Sequence, residues 1–292
     1  LGMAKRRPPS ANGFMVVDKP AGMTSHDVVA TLRKRLGEKR VGHAGTLDPD
    51  ATGVLLVGVG YVTRVLSYLL GASKSYVGEV VLGSTTTTLD DSGEVTQTFD
   101  MSGVSLADVE AAARTLTGDI LQVPPMVSAL KVGGRRLHEL AREGIEVERE
   151  ARPVTIHSLR VTPTGERHVF AIDVSCSSGT YVRTLAADLG TALGGGAHLR
   201  NLRRTSVGPY DISDAQPLED ATLRPPIEAL RMMTRVVVDD DAIAAIRHGR
   251  SLPLFEGPGP WAVTSADGAL VAVYGHGGDV AKPGVVFAEP IA

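Results

Sequence analysis

The sequence predicts an α+β protein with a small β-rich domain at its C-terminal end, and three observations carry that expectation. Helix-like and strand-like stretches follow one another in mixed order through residues 25–196. Residues 215–230, with Pro217, Pro225 and Pro226, read as a connection. Residues 235–292 are short apolar runs punctuated by Gly and Pro. A chain of 292 residues suits one large domain plus a small one, here 1–230 and 231–292, with an excursion at about 124–152. At 43% hydrophobic and 22% charged residues it is neither disordered nor fibrous.

The elements follow in order. Thr24 or Ser25 can cap a helix whose apolar residues Val28, Val29, Leu32 and Leu36 keep helical spacing up to Gly37. Residues 54–59 read as a buried strand and Val62 to Leu70 as a short helix stopped by Gly71. Tyr76 to Leu82 alternates as a strand does, and leads into a Thr-rich stretch and the turn Asp90-Asp91-Ser92-Gly93. Ser105-x-x-Asp108 resembles a capping box that opens a helix running to Gly118. After Pro124 and Pro125 comes a charged, glycine-containing segment with a helical pattern around Leu137, Leu140 and Ala141. Val169 to Cys176 is a strand, Ser177 to Thr180 a turn and cap, and Tyr181 to Leu193 a helix ended by Gly194, Gly195 and Gly196.

Several function classes lack their signatures. The single cysteine, Cys176, cannot form an internal disulfide or supply a cysteine metal knuckle, which fits a reducing, cytoplasmic setting. No apolar run approaches the roughly 20 residues that span a bilayer. Lys5, Arg6 and Arg7 lead into Pro8 and Pro9 rather than a hydrophobic signal core, and Leu1 and Gly2 precede Met3 as a scar would. There is no phosphate loop of the G-x-x-x-x-G-K type, no complete dinucleotide fingerprint, no metalloprotease histidine pair and no nucleophile elbow.

Net charge is −3, yet basic residues cluster. Arg33-Lys34-Arg35 and Arg203-Arg204 would suit phosphate contacts if the fold brings them to one face, together with Arg200 and the 131–152 excursion. Solvated helix faces are the plainer account of either cluster alone.

The chemistry lies in Val41-Gly42-His43-Ala44-Gly45-Thr46-Leu47-Asp48-Pro49, between a basic helix and a buried strand. An Asp before Pro is more often a turn residue than a catalytic one. Matching segments in order decides otherwise. Val16 to Ser25 (Val16-Val17-Asp18-Lys19-Pro20-Ala21-Gly22-Met23-Thr24-Ser25), Gly42 to Pro49, Lys74-Ser75-Tyr76, Ser178-Gly179-Thr180-Tyr181-Val182-Arg183-Thr184-Leu185 and Leu202-Arg203-Arg204 together resemble the TruB family of bacterial tRNA pseudouridine synthases over nearly the whole chain. Pro125 to Pro153, with Ser128-Ala129-Leu130-Lys131, resembles that family's mobile insertion. His248 to Pro253 and the Asp267-Gly268 turn resemble an RNA-binding domain of PUA type.

The resemblance implies a pseudouridine synthase fold, with a mixed, mainly antiparallel sheet flanked by helices. It also implies isomerisation of uridine 55 in the tRNA T-loop, with the base flipped and no cofactor or metal. Asp48 would be the catalytic carboxylate, as nucleophile or as base, with Arg183 as its ion-pair partner and Asp90 behind Arg183. Tyr76 would stack on the uracil and move a proton. Tyr181 and Leu202 would complete the pocket, His43 would contact the displaced loop, and Lys19 would lie at the rim. The partner is the T-arm of tRNA, with no membrane, no obligatory protein partner and a monomeric chain. Two rivals remain, an RNA-folding protein and a guide-RNA-dependent pseudouridylase. The residues 231–292 hold five basic against seven acidic side chains, so contact there would rest on shape more than charge.

Overall fold

The computed structural model describes residues 8–128 and 130–292; residues 1–7 and Ala129 lie outside the described residues. Two compact units result, one of residues through Ala72 together with Val207–Ala292, the other of Ser73–Ser206.

In the first unit, the strands Gly13–Lys19 and Thr52–Val59 run antiparallel, in a register from Gly13 opposite Val59 to Lys19 opposite Gly53. Val41–Ala44 also pairs antiparallel with Thr52–Val59, and Gln216–Pro217 pairs parallel with Val17 and Asp18. Both faces of these strands are covered, which is why Val54 to Val57 is continuously apolar. One face carries Met15, Val17, Leu55 and Val57 against Val28, Val29 and Leu32 of the helix Ser25–Leu36. That helix is fixed by a capping box between Thr24 and Asp27 and ends at Gly37 with φ 61°. The other face carries Phe14, Val16, Val54 and Leu56 in one cluster with Val62, Leu69, Tyr210, Val273 and Phe287.

Val273 and Phe287 of that cluster tie in the C-terminal sheet, ordered Thr234–Val237, Trp261–Thr264, Leu270–His276, Val280–Ile291, Leu252–Pro253. This sheet has its own cluster around Trp261, Val263 and Tyr274, closed by Ile243 and Ile246 of the helix Asp240–Arg247. Arg64 adds a hydrogen bond of 2.8 Å to the Val286 carbonyl and stacks over Phe287.

In the second unit, five strands lie in the order Ala197–Val207, Lys74–Leu82, Val169–Cys176, Arg152–Pro163, Gly118–Gln122. Strands two to five of this series pair antiparallel. The helices Leu106–Thr115 and Val182–Ala192 accompany them. The excursion holds a hairpin, Lys131–Val132 with Arg135–Arg136, turned by Gly133 and Gly134 at positive φ, then the helix Leu137–Arg142 with Leu137 and Leu140 buried. The sheets are mixed and mainly antiparallel, so the α+β expectation stands.

Several local expectations change. Val62 to Leu70 forms two 3-10 turns, Gly60–Arg64 and Leu66–Leu69, because β-branched Val62, Thr63 and Val65 disfavour so short an α-helix. The Ser105 helix ends at Thr115, where the hydroxyls of Thr115 and Thr117 bond back to Ala112 and Ala113; Gly118 then starts a strand. Thr180 does not cap the next helix: its hydroxyl closes the turn onto the Ser177 carbonyl at 3.0 Å, and Tyr181 occupies the cap position without a side-chain bond. Within the Thr-rich stretch, Ser84–Thr86 and Val95–Thr98 pair as strands.

Candidate active site

Asp48 is half-buried in the loop between Val41–Ala44 and Thr52–Val59. Its carbonyl accepts from Ala51 N at 3.2 Å, a turn with Pro49 in the second position, where a fixed φ suits it. The turn-forming and chemical readings of Asp48 are thus compatible. Three contacts hold this loop to the preceding segment. Lys19, with 0% exposure, donates from Nζ to the carbonyls of Pro20 (2.8 Å), Met23 (2.6 Å) and Pro49 (2.8 Å). Gly22 N donates to the same Pro49 carbonyl at 3.0 Å. The buried Ser25 hydroxyl accepts from Leu47 N at 2.9 Å and donates to Leu47 O at 3.3 Å. Lys19 is therefore a buried clamp on the Asp48–Pro49 turn rather than a rim residue. His43, on the strand leading in, meets the His26 ring edge-on at 5.3 Å.

In the second unit, Arg183 sits in the first turn of Val182–Ala192 with 4% exposure. Its guanidinium donates to the carbonyls of Thr88 and Val127, both at 2.8 Å, and lies 3.6 Å from the Asp90 carboxylate. Asp90 is oriented in turn by the hydroxyls of Thr88 (2.6 Å) and Ser92 (2.5 Å) and by Ser92 N (3.2 Å). A cation at a helix N-terminus is electrostatically misplaced unless such acceptors hold it. Tyr181, before Arg183, is fixed by buried Gln122, which accepts from its N–H at 2.8 Å and donates to its carbonyl at 3.1 Å.

The strand Lys74–Leu82 buries alternate residues, so Lys74, Tyr76 and Gly78 share one face. Tyr76 lies opposite Val174, and Lys74 opposite Cys176. A Cβ on Gly78 would lie 3.6 Å from the backbone of Leu202, which is half-buried. Arg204, buried on the same strand as Leu202, donates from its guanidinium to the Tyr76 phenol oxygen. Burial and the nearby Arg204 charge pull the Lys74 ammonium down from 10.5 to about 8, and burial raises the Cys176 thiol. Thr88, Ser92 and Gln122 carry no signal in the sequence as positioning groups. Lys74 and Arg204 do, since both lie in the matched segments.

The basic clusters meet a different fate from the one expected. Arg33 donates to Val41 O at 2.8 Å. Arg35 donates to the carbonyls of Leu218 (2.5 Å), Glu219 (2.8 Å) and Ala221. Arg200 is paired with Glu79 and Glu166, each at 2.6 Å, and Arg204 is buried. Helix-end arginines here satisfy main-chain carbonyls, and strand arginines find carboxylates or a phenol. Among the described residues no group of His, Cys, Asp or Glu is arranged to hold a metal ion, and no helix is long and apolar enough to cross a membrane.

Comparison with known proteins accords with this arrangement. Residues 33–182 match the N-terminal domain of TruB family pseudouridylate synthases, 183–232 a tRNA pseudouridylate synthase B C-terminal domain, and 233–288 the C-terminal part of tRNA pseudouridine synthase II. The chain is 44% identical to tRNA pseudouridine synthase B of an Arthrobacter species over 95% of its length and 97% of that protein's. It is 51% identical to the protein of that name from Symbiobacterium thermophilum, over 82% of each. A solved chain in a Cbf5-Nop10-Gar1 complex superposes with a TM-score of 0.72 at 27% identity, covering 95% of this chain and 85% of that one. Another, from an H/ACA RNP bound to a substrate RNA containing 2'-deoxyuridine, gives 0.70 at 25% identity, covering 94% and 84%. The chain thus belongs to the TruB family of pseudouridylate synthases.

Proposed function

We propose that this chain converts the T-loop uridine at position 55 of tRNA to pseudouridine, with Asp48 as the catalytic carboxylate and no cofactor. The observation that carries the reading is the Gly42-to-Pro49 segment, held as a defined turn by buried Lys19 and Ser25 and by the Gly22 N–H in a chain 44% identical to a tRNA pseudouridine synthase B. The reaction exchanges a glycosidic C–N bond for a C–C bond, without net redox or hydrolytic change. It asks for a carboxylate at a fixed place and a pocket for a base taken out of its stack. Tyr76 stacks on the uracil and moves its proton, Tyr181 and Leu202 shape the pocket, and His43 meets the displaced loop. Arg183, held by Thr88, Val127 and Asp90, orients the carboxylate as a preformed cation.

The 124–152 excursion closes over the tRNA, and residues 231–292 give auxiliary RNA contact. The chain acts in the cytoplasm as a monomer without an obligatory protein partner. Guide-dependent action has support in the likeness to chains from H/ACA complexes at 25–27% identity. The 44–51% identity to tRNA pseudouridine synthase B proteins supports the stand-alone enzyme more strongly.

The test is tritium release from an unmodified tRNA transcript labelled at uridine C5, with the chain alone. Release by the native protein and none by Asp48→Asn, which still binds tRNA, is the expected result. No release by the native protein, with tRNA bound, overturns the reading and leaves a tRNA-folding or guide-dependent protein.

A further inference from the structure

Among the described residues, three that are not glycine stand on left-handed backbone: Leu89 at φ 63°, His168 at φ 63° and Asn201 at φ 54°. Asn and His visit that region at modest cost, but a bulky leucine there is a genuine outlier. Such a conformation persists only where its surroundings hold it. At Leu89 four hydrogen bonds do so. Leu89 N donates to the Thr86 carbonyl at 3.3 Å, and the Leu89 carbonyl accepts from Leu199 N at 3.0 Å. Asp91 N donates to the Leu199 carbonyl at 3.0 Å, and the buried Thr86 hydroxyl donates to the Asp90 carbonyl at 2.6 Å. Leu199 belongs to the strand Ala197–Val207, so the turn is anchored on the sheet.

The two residues that flank Leu89 both reach Arg183. The Thr88 carbonyl accepts from its guanidinium at 2.8 Å, and the Asp90 carboxylate lies 3.6 Å from its Nε. On an extended chain a carbonyl points sideways along the sheet while the side chain two residues on stands perpendicular to it, so the two diverge. A left-handed residue between them lets them converge. We propose that Leu89 is a positioning residue: its left-handed backbone turns the Thr88 carbonyl and the Asp90 carboxylate onto one guanidinium, and so fixes the cation that orients the catalytic carboxylate. The inference rests on the reading of Arg183 as that cation. Leu89 acts through its φ and not through its side chain, which separates this role from packing.

The experiment is single-turnover pseudouridylation of an unmodified tRNA transcript, with tRNA affinity measured by filter binding and melting temperature as the folding control. Leu89→Val puts a β-branched residue where left-handed backbone excludes it, so the peptide between Thr88 and Leu89 swings and Arg183 loses its setting. A rate loss of about 10²-fold is expected, the scale of an ångström-sized misplacement, with tRNA affinity unchanged within about twofold. Leu89→Asn tolerates the native φ and should stay within about threefold of the native rate. In an Asp90→Asn background Leu89→Val should cost less than about tenfold, because one of the two groups it misdirects is already disabled. Should Leu89→Val not fold, Thr86→Val removes the hydroxyl on the Asp90 carbonyl at similar volume, and roughly tenfold slowing with unchanged affinity is expected.

An active native enzyme whose folded Leu89→Val form, or in its place Thr86→Val, keeps the native rate or loses only tRNA affinity overturns the inference. Leu89→Asn slowing as far as Leu89→Val overturns it too, since the role would then lie in the side chain. So does full multiplication of the Leu89 and Asp90 effects. A native protein inert on the transcript overturns the parent reading and this inference with it.

Discussion

Replacing Lys74 with Met should make the protein more stable and less active. Lys74 is 8% exposed, on the buried face of its strand, and its ammonium is lowered from 10.5 to about 8, first by burial and then by the Arg204 charge. That fall corresponds to about 3 kcal/mol held against the ammonium in the native state. Met keeps most of the side-chain volume and removes the charge. Because the native value lies below the unfolded one, the penalty is complete below pH 8. Between pH 8 and 10.5 the unfolded chain binds the proton that the native chain has lost, so native stability rises with pH there and the penalty fades. Urea unfolding should therefore find Lys74→Met more stable by about 2–3 kcal/mol at pH 7, with the gain shrinking towards pH 10. A variant less stable at pH 7, or with a gain that ignores pH, would refute the argument. The same variant should slow tritium release, since it removes one of two cations beside Tyr76.

Two further substitutions test the frame around the site. Gly60→Ala places a Cβ 2.1 Å from the Ala11 carbonyl oxygen at a φ of +66°, so backbone must move; a loss of about 2–4 kcal/mol in denaturant unfolding is expected, and a loss below about 1 kcal/mol would contradict that packing. Lys19→Met removes three charge-assisted hydrogen bonds to the carbonyls of Pro20, Met23 and Pro49, leaving buried acceptors unsatisfied; about 3 kcal/mol less stability and slower single-turnover chemistry with unchanged tRNA affinity should follow, whereas weakened affinity alone would restore Lys19 to the rim.

The legible part of the fold is the part with local causes. The Ser25–Leu36 helix announces itself through its cap, its apolar spacing and its glycine stop. The Lys74–Leu82 and Val169–Cys176 strands follow from alternation. Gly13–Lys19 and Ala197–Val207 did not show as strands, because their side chains are set by what covers each face and not by a period of two. The site divides likewise. Asp48, Tyr76 and Arg183 stand in the matched segments, whereas Asp90 lies outside them and reads as a turn residue or a partner for Arg183, from which it lies 3.6 Å away. Gln122 carries no such mark, since a glutamine becomes a positioning group only through a partner 59 residues away.

Burial of charge separates the two kinds of basic residue in this chain. Arg33, Arg35 and Arg200 look like phosphate ligands in sequence, yet they cap carbonyls or pair with carboxylates. Lys19, Lys74, Arg183 and Arg204 are each 8% exposed or less, and each falls in a segment that carries the family resemblance. A cation taken from water costs several kcal/mol unless its surroundings return it, and an apolar residue of similar volume would serve packing as well or better. Such cations persist where they fix an acceptor in place or favour an anion: Lys19 on the Asp48–Pro49 turn, Arg183 beside Asp90, Arg204 on the Tyr76 oxygen. Neutral replacements of the right shape will therefore divide them: a stabilising, inactivating exchange marks a charge kept for chemistry, as expected for Lys74, and a destabilising one marks a charge that holds the frame, as expected for Lys19.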